Sequence, residues 1–157
     1  MTYQELVKLN YPNCILPRVK MITESFGSKV FTIPYTREYD CMSLQLLLGN
    51  NSFVTNWDSV SIREKLNDIY NGYTYEYFVS SNLLSPSEVS INDLRFYQDE
   101  INLDNLDKIG TNTDYLEEPV LIVKDGSQLI LYNGYHRTTI NILNNKTTVN
   151  GFIIDIK

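Results

Sequence analysis

The segment that most constrains the fold is a pair of apolar runs that leads through a glycine into a helical pattern. Residues 119–123 and 128–132 have the composition of two β-strands, and Asp125-Gly126 between them favours a tight hairpin turn. Beyond Gly134, apolar residues recur at helical spacing until a pair of asparagines. The sequence therefore predicts a hairpin whose second strand turns at a glycine directly into a helix.

The turn between the second strand and the helix concentrates polar side chains. It reads Gly134-Tyr135-His136-Arg137-Thr138 and holds the only histidine of the chain. The first N–H groups of a helix lack partners within the helix, and the helix dipole adds partial positive charge, so this position favours an anion. Imidazole, guanidinium and hydroxyl groups add donors that suit phosphate. We therefore predict that these five residues form a phosphate-binding corner.

The same residues also allow a purely structural interpretation. His136 can bond a nearby carbonyl group, and Arg137 can pair with a local carboxylate such as Asp125. In the phosphate-binding interpretation Arg137 is exposed, so that its removal abolishes nucleotide binding with little effect on folding. The residues alone leave both interpretations open.

With their neighbours, these residues resemble the ParB/sulfiredoxin superfamily. The shared pattern is a strand, a D-G turn, a second strand, G-x-H-R at the start of a helix, and a final strand, here residues 148–156. Upstream, residues 89–94 resemble the opening strand and polar turn of the family. Gln98 looks like the glutamine that follows this strand in ParB-type members. The resemblance covers about residues 89–156, a little under half of the chain.

These patterns, together with the resemblance, predict an α+β fold with a small mixed β-sheet and flanking helices. The ParB/sulfiredoxin-like domain would occupy residues 87–157. Residues 1–86 would form an N-terminal α/β extension of unknown role, packed either separately or as one unit with the rest.

The resemblance also implies a function, because members of the superfamily hold nucleotide phosphates at the G-x-H-R corner. We therefore expect ATP or CTP with Mg²⁺ to bind at residues 134–138 and Gln98, with phosphotransferase or nucleotide hydrolase activity toward an unidentified small-molecule or protein acceptor. Asp99 and Glu100 are the candidate catalytic residues, as general base or magnesium ligand, since their loop faces the corner in this fold. The alternative is that both are ordinary solvated acids at a helix start.

Two departures from the family pattern narrow this expectation. Sulfiredoxins carry a nucleophilic cysteine where this chain has Tyr135, and a phenol with a pKa of about 10 cannot replace a thiolate. Sulfinic-acid repair is therefore not expected. Many relatives have an aspartate where this chain has Asn133, which removes a candidate acid, base or metal ligand. A protein-interaction module, for example a phage-encoded inhibitor of a host system, and a nucleic-acid binder or nuclease are the alternative functions.

Charge makes the nucleic-acid alternative the weakest of these. The chain has 13 Lys and Arg against 19 Asp and Glu, and its formal net charge is −6. Such a balance opposes broad attraction to nucleic acid. The sequence shows no signal-peptide layout and no run long enough to cross a bilayer. Cys14 and Cys41 are too few for a disulfide scaffold, so we expect a cytoplasmic protein without a membrane partner.

The first half of the chain has weaker patterns. Thr2 and Glu5 form a capping box at the start of a short helix, and residues 29–33 resemble a strand. Residues 39–48 are predicted to form an apolar helix that Gly49 terminates.

A second helix and a strand are predicted farther along. Ser61 and Glu64 form another capping box, which opens a helix with Ile62 and Leu66 on one apolar face. Residues 73–79 alternate as a strand that bears a stripe of tyrosines. Such a stripe either stacks on nucleobases or covers a half-buried sheet face.

Overall fold

The structure is a mixed α+β arrangement of β-sheets and helices, as the sequence predicts. The computed structural model describes residues 1–18, 21–26, 29–34, 39–54, 57–70 and 85–156. Its strands are β1 (Ile15–Arg18), β2 (Met21–Phe26), β3 (Lys29–Pro34), β4 (Tyr39–Ser43), β5 (Ser87–Ser90), β6 (Leu94–Arg95), β7 (Glu100–Asn102), β8 (Val120–Asp125), β9 (Gln128–Asn133) and β10 (Thr148–Asp155). Its helices are α1 (Tyr3–Asn10), α2 (Leu44–Leu48), α3 (Ser59–Tyr70), α4 (Leu103–Gly110), α5 (Thr113–Glu117) and α6 (Tyr135–Leu143).

The largest sheet among the described strands has the order β5-β10-β8-β9-β6 and mixes parallel with antiparallel pairs. β8 and β9 form the predicted hairpin, and Gly126 in its turn has a φ of +65°. The chain then passes through α6 and returns as β10, which runs parallel to β8. β6 pairs with β9 in parallel, so the segment that follows β6 lies beside the start of α6. Smaller sheets join β1 with β4 and β7, and β2 with β3.

The central strand β8 is covered on both faces. Val120 and Ile122 belong to a core cluster with residues of α1, α4 and α6, whereas Leu121 and Val123 belong to a second cluster with residues of α3. A strand buried on both faces is expected to be continuously apolar, as β8 is over residues 120–123. The first cluster also includes Met42 from the N-terminal half of the chain. The boundary near residue 86 stays a prediction.

Several helix ends follow local signals in the sequence. The Thr2 hydroxyl accepts the N–H of Glu5 at 3.1 Å, which confirms the predicted cap of α1. Gly49 follows α2 with a φ of +93°, as predicted for a terminating glycine. α3 starts at Ser59, three residues earlier than a cap at Ser61 predicts, because the Asp58 carboxylate accepts the N–H groups of Val60 and Ser61 at 3.0 and 3.3 Å.

The predicted helix over residues 39–48 is wrong in its first half. Tyr39–Ser43 is instead strand β4, which lies between β1 and β7 and pairs with both. Helix starts only at Leu44, where the Ser43 hydroxyl accepts the N–H of Leu46 at 3.2 Å. Pairing along both edges of the segment therefore overrides its apolar helical pattern. The predicted strand over residues 73–79, with its tyrosine stripe, lies outside the described residues.

Within the described ranges, none of the helices has the length and apolar character that crossing a membrane requires.

Candidate functional site

A cavity of about 430 Å³ lies at the N-terminus of α6. Its wall combines the β9–α6 turn with the loop after β6, one residue of α3 and one residue of α5. The described residues that line it are Arg63, Tyr97, Gln98, Tyr115, Tyr132, Asn133, Gly134, Tyr135, His136 and Arg137. Most of the predicted phosphate-binding residues therefore meet at this cavity.

Gly134 makes the sharp turn from β9 into α6 possible. Its φ of +111° lies in the left-handed region, which side chains other than glycine rarely adopt. A Cβ atom at this position would also overlap the side chain of Val120 and lie 3.2 Å from Nη2 of Arg137. The Gly134 carbonyl accepts the N–H of Thr138 at 2.9 Å, so the helix starts directly after the glycine. The N–H groups of its first turn therefore point away from the helix body toward the cavity side.

Arg137 is not exposed, contrary to the sequence-based expectation. Only 2% of its surface is accessible. Its Nη1 donates to the backbone carbonyls of Glu118 and Pro119 at 3.0 and 3.1 Å. Its guanidinium carbon also lies 4.6 Å from the centroid of the Tyr115 ring, a cation–π distance. Arg137 thus contributes positive charge to the cavity wall, while its hydrogen bonds hold the segment between α5 and β8.

Tyr135 contributes to the wall in a different way from the one predicted. Its hydroxyl accepts the N–H of Tyr97 at 2.9 Å and that of Gln98 at 3.4 Å, and donates to the carbonyl of Leu131 at 2.9 Å. Burial raises the pKa of Tyr135 well above its ordinary value. The phenol is therefore neutral, and its hydroxyl is already hydrogen-bonded to backbone groups. It stabilises the cavity wall rather than donating to phosphate.

His136 lies in the cavity wall with its ring partly buried. Among the described residues its Nε2 has no hydrogen-bond partner. Burial lowers the pKa of His136, so the imidazole is neutral at pH 7. Thr138, the other predicted ligand, is 1% exposed and does not belong to the described lining of the cavity.

Gln98, the remaining predicted ligand, lines the same cavity as the corner. It follows Tyr97, whose ring lies 4.7 Å from that of Trp57 and 5.5 Å from that of Tyr135. The Tyr97 hydroxyl donates to the carbonyl of Tyr132 at 3.1 Å, and burial raises the pKa of Tyr97 to about 12. This wall of the cavity is consequently held in place by ring packing and hydrogen bonds.

Asp99 and Glu100 are not among the described residues that line the cavity. The Asp99 carboxylate accepts the hydroxyl of Ser43 at 2.7 Å and the N–H of Gln45 at 2.8 Å. Asp99 therefore caps α2, a helix that lies far from it in sequence, and Glu100 pairs with Ser43 in the ladder of β7 and β4. The structural alternative for Asp99, a carboxylate at a helix start, matches this position. The catalytic role of both acids stays a prediction.

Arg63 lines the cavity although no local signal in the sequence points to it. It is exposed on α3, beside the similarly exposed Glu64 and Lys65, and only the fold brings it to the cavity. A hydrogen bond with the Tyr132 hydroxyl raises the pKa of its guanidinium. Tyr115 and Tyr97 were likewise not predicted, because aromatic residues in short loops and helices carry no local signal of a cavity.

The charge of the cavity wall differs in sign from that of the whole chain. Its described lining contains two arginines and no aspartate or glutamate, although the formal net charge of the protein is −6. In the part of the chain that the structure describes, no group of three or more His, Cys, Asp and Glu residues could hold a metal ion. The cavity is therefore suited to an anion rather than to a cation bound directly by protein groups.

The fold and the cavity define an α+β protein with a positively charged cavity at the start of a helix. Comparison of the chain with protein-family models, with curated proteins and with solved structures finds no match in any of the three.

Proposed function

We propose that this cavity binds the phosphate groups of a nucleotide, ATP or CTP, on a core of the ParB/sulfiredoxin type. The observation that carries the proposal is the charge of the wall. Arg63, Arg137 and the first turn of α6 surround a space with no acidic residue among its described lining, in an acidic protein. A fixed positive potential of this kind attracts an anion and repels a cation.

Partial burial strengthens this attraction. Two unit charges 4 Å apart interact by about 4 kcal/mol at the effective dielectric constant of about 20 that applies near a protein surface, against about 1 kcal/mol in water. Only 2% of the surface of Arg137 is accessible, so solvent screens the field of its guanidinium weakly. A polyphosphate would meet this potential with several charges at once.

Size and aromatic content favour a nucleotide over free phosphate. The cavity volume of about 430 Å³ falls in the range of roughly 300–1,000 Å³ that is typical of ligand sites. Tyr97, Tyr115 and Tyr132 contribute rings to the wall, and aromatic rings offer surface for a nucleobase. Gln98 adds an amide that can donate to and accept from a base or sugar.

The order of elements supports the superfamily assignment within this proposal. β8, the Gly126 turn, β9, the Gly134 corner, α6 and β10 follow in the order that the G-x-H-R pattern implies. Gln98, which the resemblance assigns to the same site, also lines the cavity. The fold alone does not determine function, so the site has to be tested directly.

Binding is supported more directly than phosphoryl transfer or hydrolysis. A base or magnesium ligand is needed for either reaction, and the described lining offers no carboxylate. Mg²⁺ would be held mainly by the phosphates and water, as is usual for nucleotide sites. His136, neutral and with Nε2 unpartnered among the described residues, is the remaining candidate base beside Asp99 and Glu100.

Calorimetric titration tests the proposal. ATP, ADP, CTP and GTP, each with and without Mg²⁺, are titrated into the protein, with pyrophosphate and citrate as anions that lack a base. We expect at least one nucleotide to bind more tightly than pyrophosphate, and citrate to bind weakest. Absence of heat and of thermal stabilisation with every nucleotide at millimolar concentration would overturn the proposal and leave the protein-interaction module as the better alternative.

A further inference from the structure

The two arginines of the cavity wall differ in what they can do for a ligand. Arg137 is 2% exposed and already donates to the carbonyls of Glu118 and Pro119. With 2% of its surface accessible, Arg137 offers a ligand little surface to contact, and moving its guanidinium outward would break these hydrogen bonds. Arg63 is exposed on α3 and lines the same cavity. Its guanidinium can therefore turn toward a ligand without disturbing the core.

The backbone under Arg63 is firmly placed. Ile62 and Leu66 on either side of it are 4% and 0% exposed and belong to the core cluster on the α3 face of the sheet. A helix anchored at both flanking positions fixes the Cα of Arg63 relative to β8. Only the side chain remains to be ordered, and ordering a long side chain has an entropic cost.

Tyr132 reduces that cost. Tyr132 and Arg63 line the same cavity, and the Tyr132 ring packs against the same core cluster as Ile62. The pKa of the Arg63 guanidinium is raised, with a hydrogen bond to the Tyr132 hydroxyl as the largest cause. A guanidinium carries five N–H donors, so one bond to the phenol leaves others for a ligand. Tyr132 thus holds Arg63 over the cavity before any ligand arrives.

We propose that Arg63, positioned by the hydroxyl of Tyr132, is the residue that contacts the anionic groups of the ligand, whereas Arg137 supports the wall and its potential. This inference rests on the proposed function, since it names the residue through which the same cavity recognises a polyphosphate. It also makes Arg63 the residue that senses the number of phosphates, because the attraction grows with the charge of the ligand.

The substitution Arg63→Gln tests the contact. We expect the variant to bind ATP about 10- to 100-fold more weakly than the wild type, the loss typical of a charge-assisted hydrogen bond. The ratio of ATP to AMP affinity should fall as well. The melting temperature should not change, because the side chain is exposed.

Lys65→Gln is the matched control. Lys65 lies two residues away on the same helix, is exposed, and carries the same charge, yet it does not belong to the described lining of the cavity. Removal of its charge should change ATP affinity less than about two-fold. Equal losses of ATP affinity in the two variants would show a general charge effect and overturn the proposed contact between Arg63 and the ligand.

A double-mutant cycle with Tyr132→Phe tests the positioning role. The phenylalanine keeps the ring and removes only the hydroxyl, so we expect a loss of about 2- to 5-fold in ATP affinity in the wild-type background. In the Arg63→Gln background the same change should have no effect. An equal loss in both backgrounds would mean that the phenol acts on the ligand by itself.

The outcomes separate this inference from the proposed function. If the wild type binds no nucleotide, both fail. If the wild type binds and Arg63→Gln binds equally well, the proposed function stands and the assignment of Arg63 is wrong. Weaker binding by Arg63→Gln alone, with Lys65→Gln unchanged, is the result that the structure leads us to expect.

Discussion

The hydroxyl of Tyr135 lies 2.9 Å from the backbone nitrogen of Tyr97 and accepts its N–H. The two residues are 38 positions apart in the chain, and this bond joins the start of α6 to the loop after β6. The same oxygen accepts from Gln98 and donates to Leu131, so a single buried phenol connects both walls of the cavity to β9. A tyrosine in the variable position of the G-x-H-R pattern therefore serves the shape of the site.

Tyr135→Phe should loosen this wall. The change leaves two backbone N–H groups and one carbonyl without their shared partner, which costs about 1–3 kcal/mol of the free energy of unfolding. Amide hydrogen exchange at Tyr97 and Gln98 should accelerate. Tyr3→Phe is the control, because the Tyr3 hydroxyl accepts from Asn144 at an exposed position. Equal stability of the two variants in urea would contradict the bracing role.

Gly134→Ala should be among the most damaging single changes in the chain. It combines a φ of +111° with overlap against Val120, so we expect a loss of more than about 2 kcal/mol in the free energy of unfolding. Gly49→Ala separates the two causes, since Gly49 has a φ of +93° but nothing within 4 Å of the added Cβ. It should lose only the backbone share, about 1–2 kcal/mol. Chemical denaturation of both variants gives the comparison.

Arg137→Ala should destabilise the fold, in contrast to the mild effect that the sequence suggests. Two hydrogen bonds from a buried cation to carbonyls are lost, and we expect a loss of about 3 kcal/mol. Arg95→Ala is closely matched, because Nη1 of Arg95 also bonds two carbonyls, those of Asn92 and Leu94. Arg95 is half-buried at the surface, so its loss should stay below about 1 kcal/mol. A similar loss in both variants would argue against a special role for the buried guanidinium.

Stability should decline below neutral pH because of His136. Burial lowers the pKa of His136 in the folded protein, so below about pH 6.5 the unfolded chain binds a proton that the folded protein does not. Its contribution to stability is complete above about pH 6.5 and is lost as pH falls through the lower folded value. His136→Gln should remove this dependence of stability on pH below about pH 6.5. Because the chain has one histidine, its titration can be followed by NMR without overlap.

Asp99→Ala tests the candidate catalytic residues. Since the carboxylate caps α2, we expect a loss of about 1–2 kcal/mol in the free energy of unfolding and unchanged ATP affinity. Glu100→Ala, at the exposed neighbouring position, should lose less stability. A variant of Asp99 that binds ATP normally but fails to hydrolyse it, where the wild type does, would instead establish a catalytic role.

Local signals in the sequence predict the part of the structure that depends on near neighbours. The Asp125-Gly126 turn, the glycine corner before α6 and the caps at Thr2 and Gly49 all rest on φ values and hydrogen bonds within a few residues. Such φ preferences and hydrogen bonds involve residues close together in the chain, so they can be predicted without knowing the fold. The resemblance also assigns Gln98 to the same site as the corner, and both line the cavity.

Contacts between segments that are distant in the chain determine how these local elements are arranged. Tyr39–Ser43 is a strand because it pairs with β1 on one side and with β7 on the other. Asp99 caps a helix more than 50 positions away. Arg137 is buried because distant carbonyls replace water around its guanidinium, while α3 brings Arg63 to the cavity. Desolvation and pairing between remote segments govern each of these outcomes, and neither is encoded in a residue's immediate neighbours.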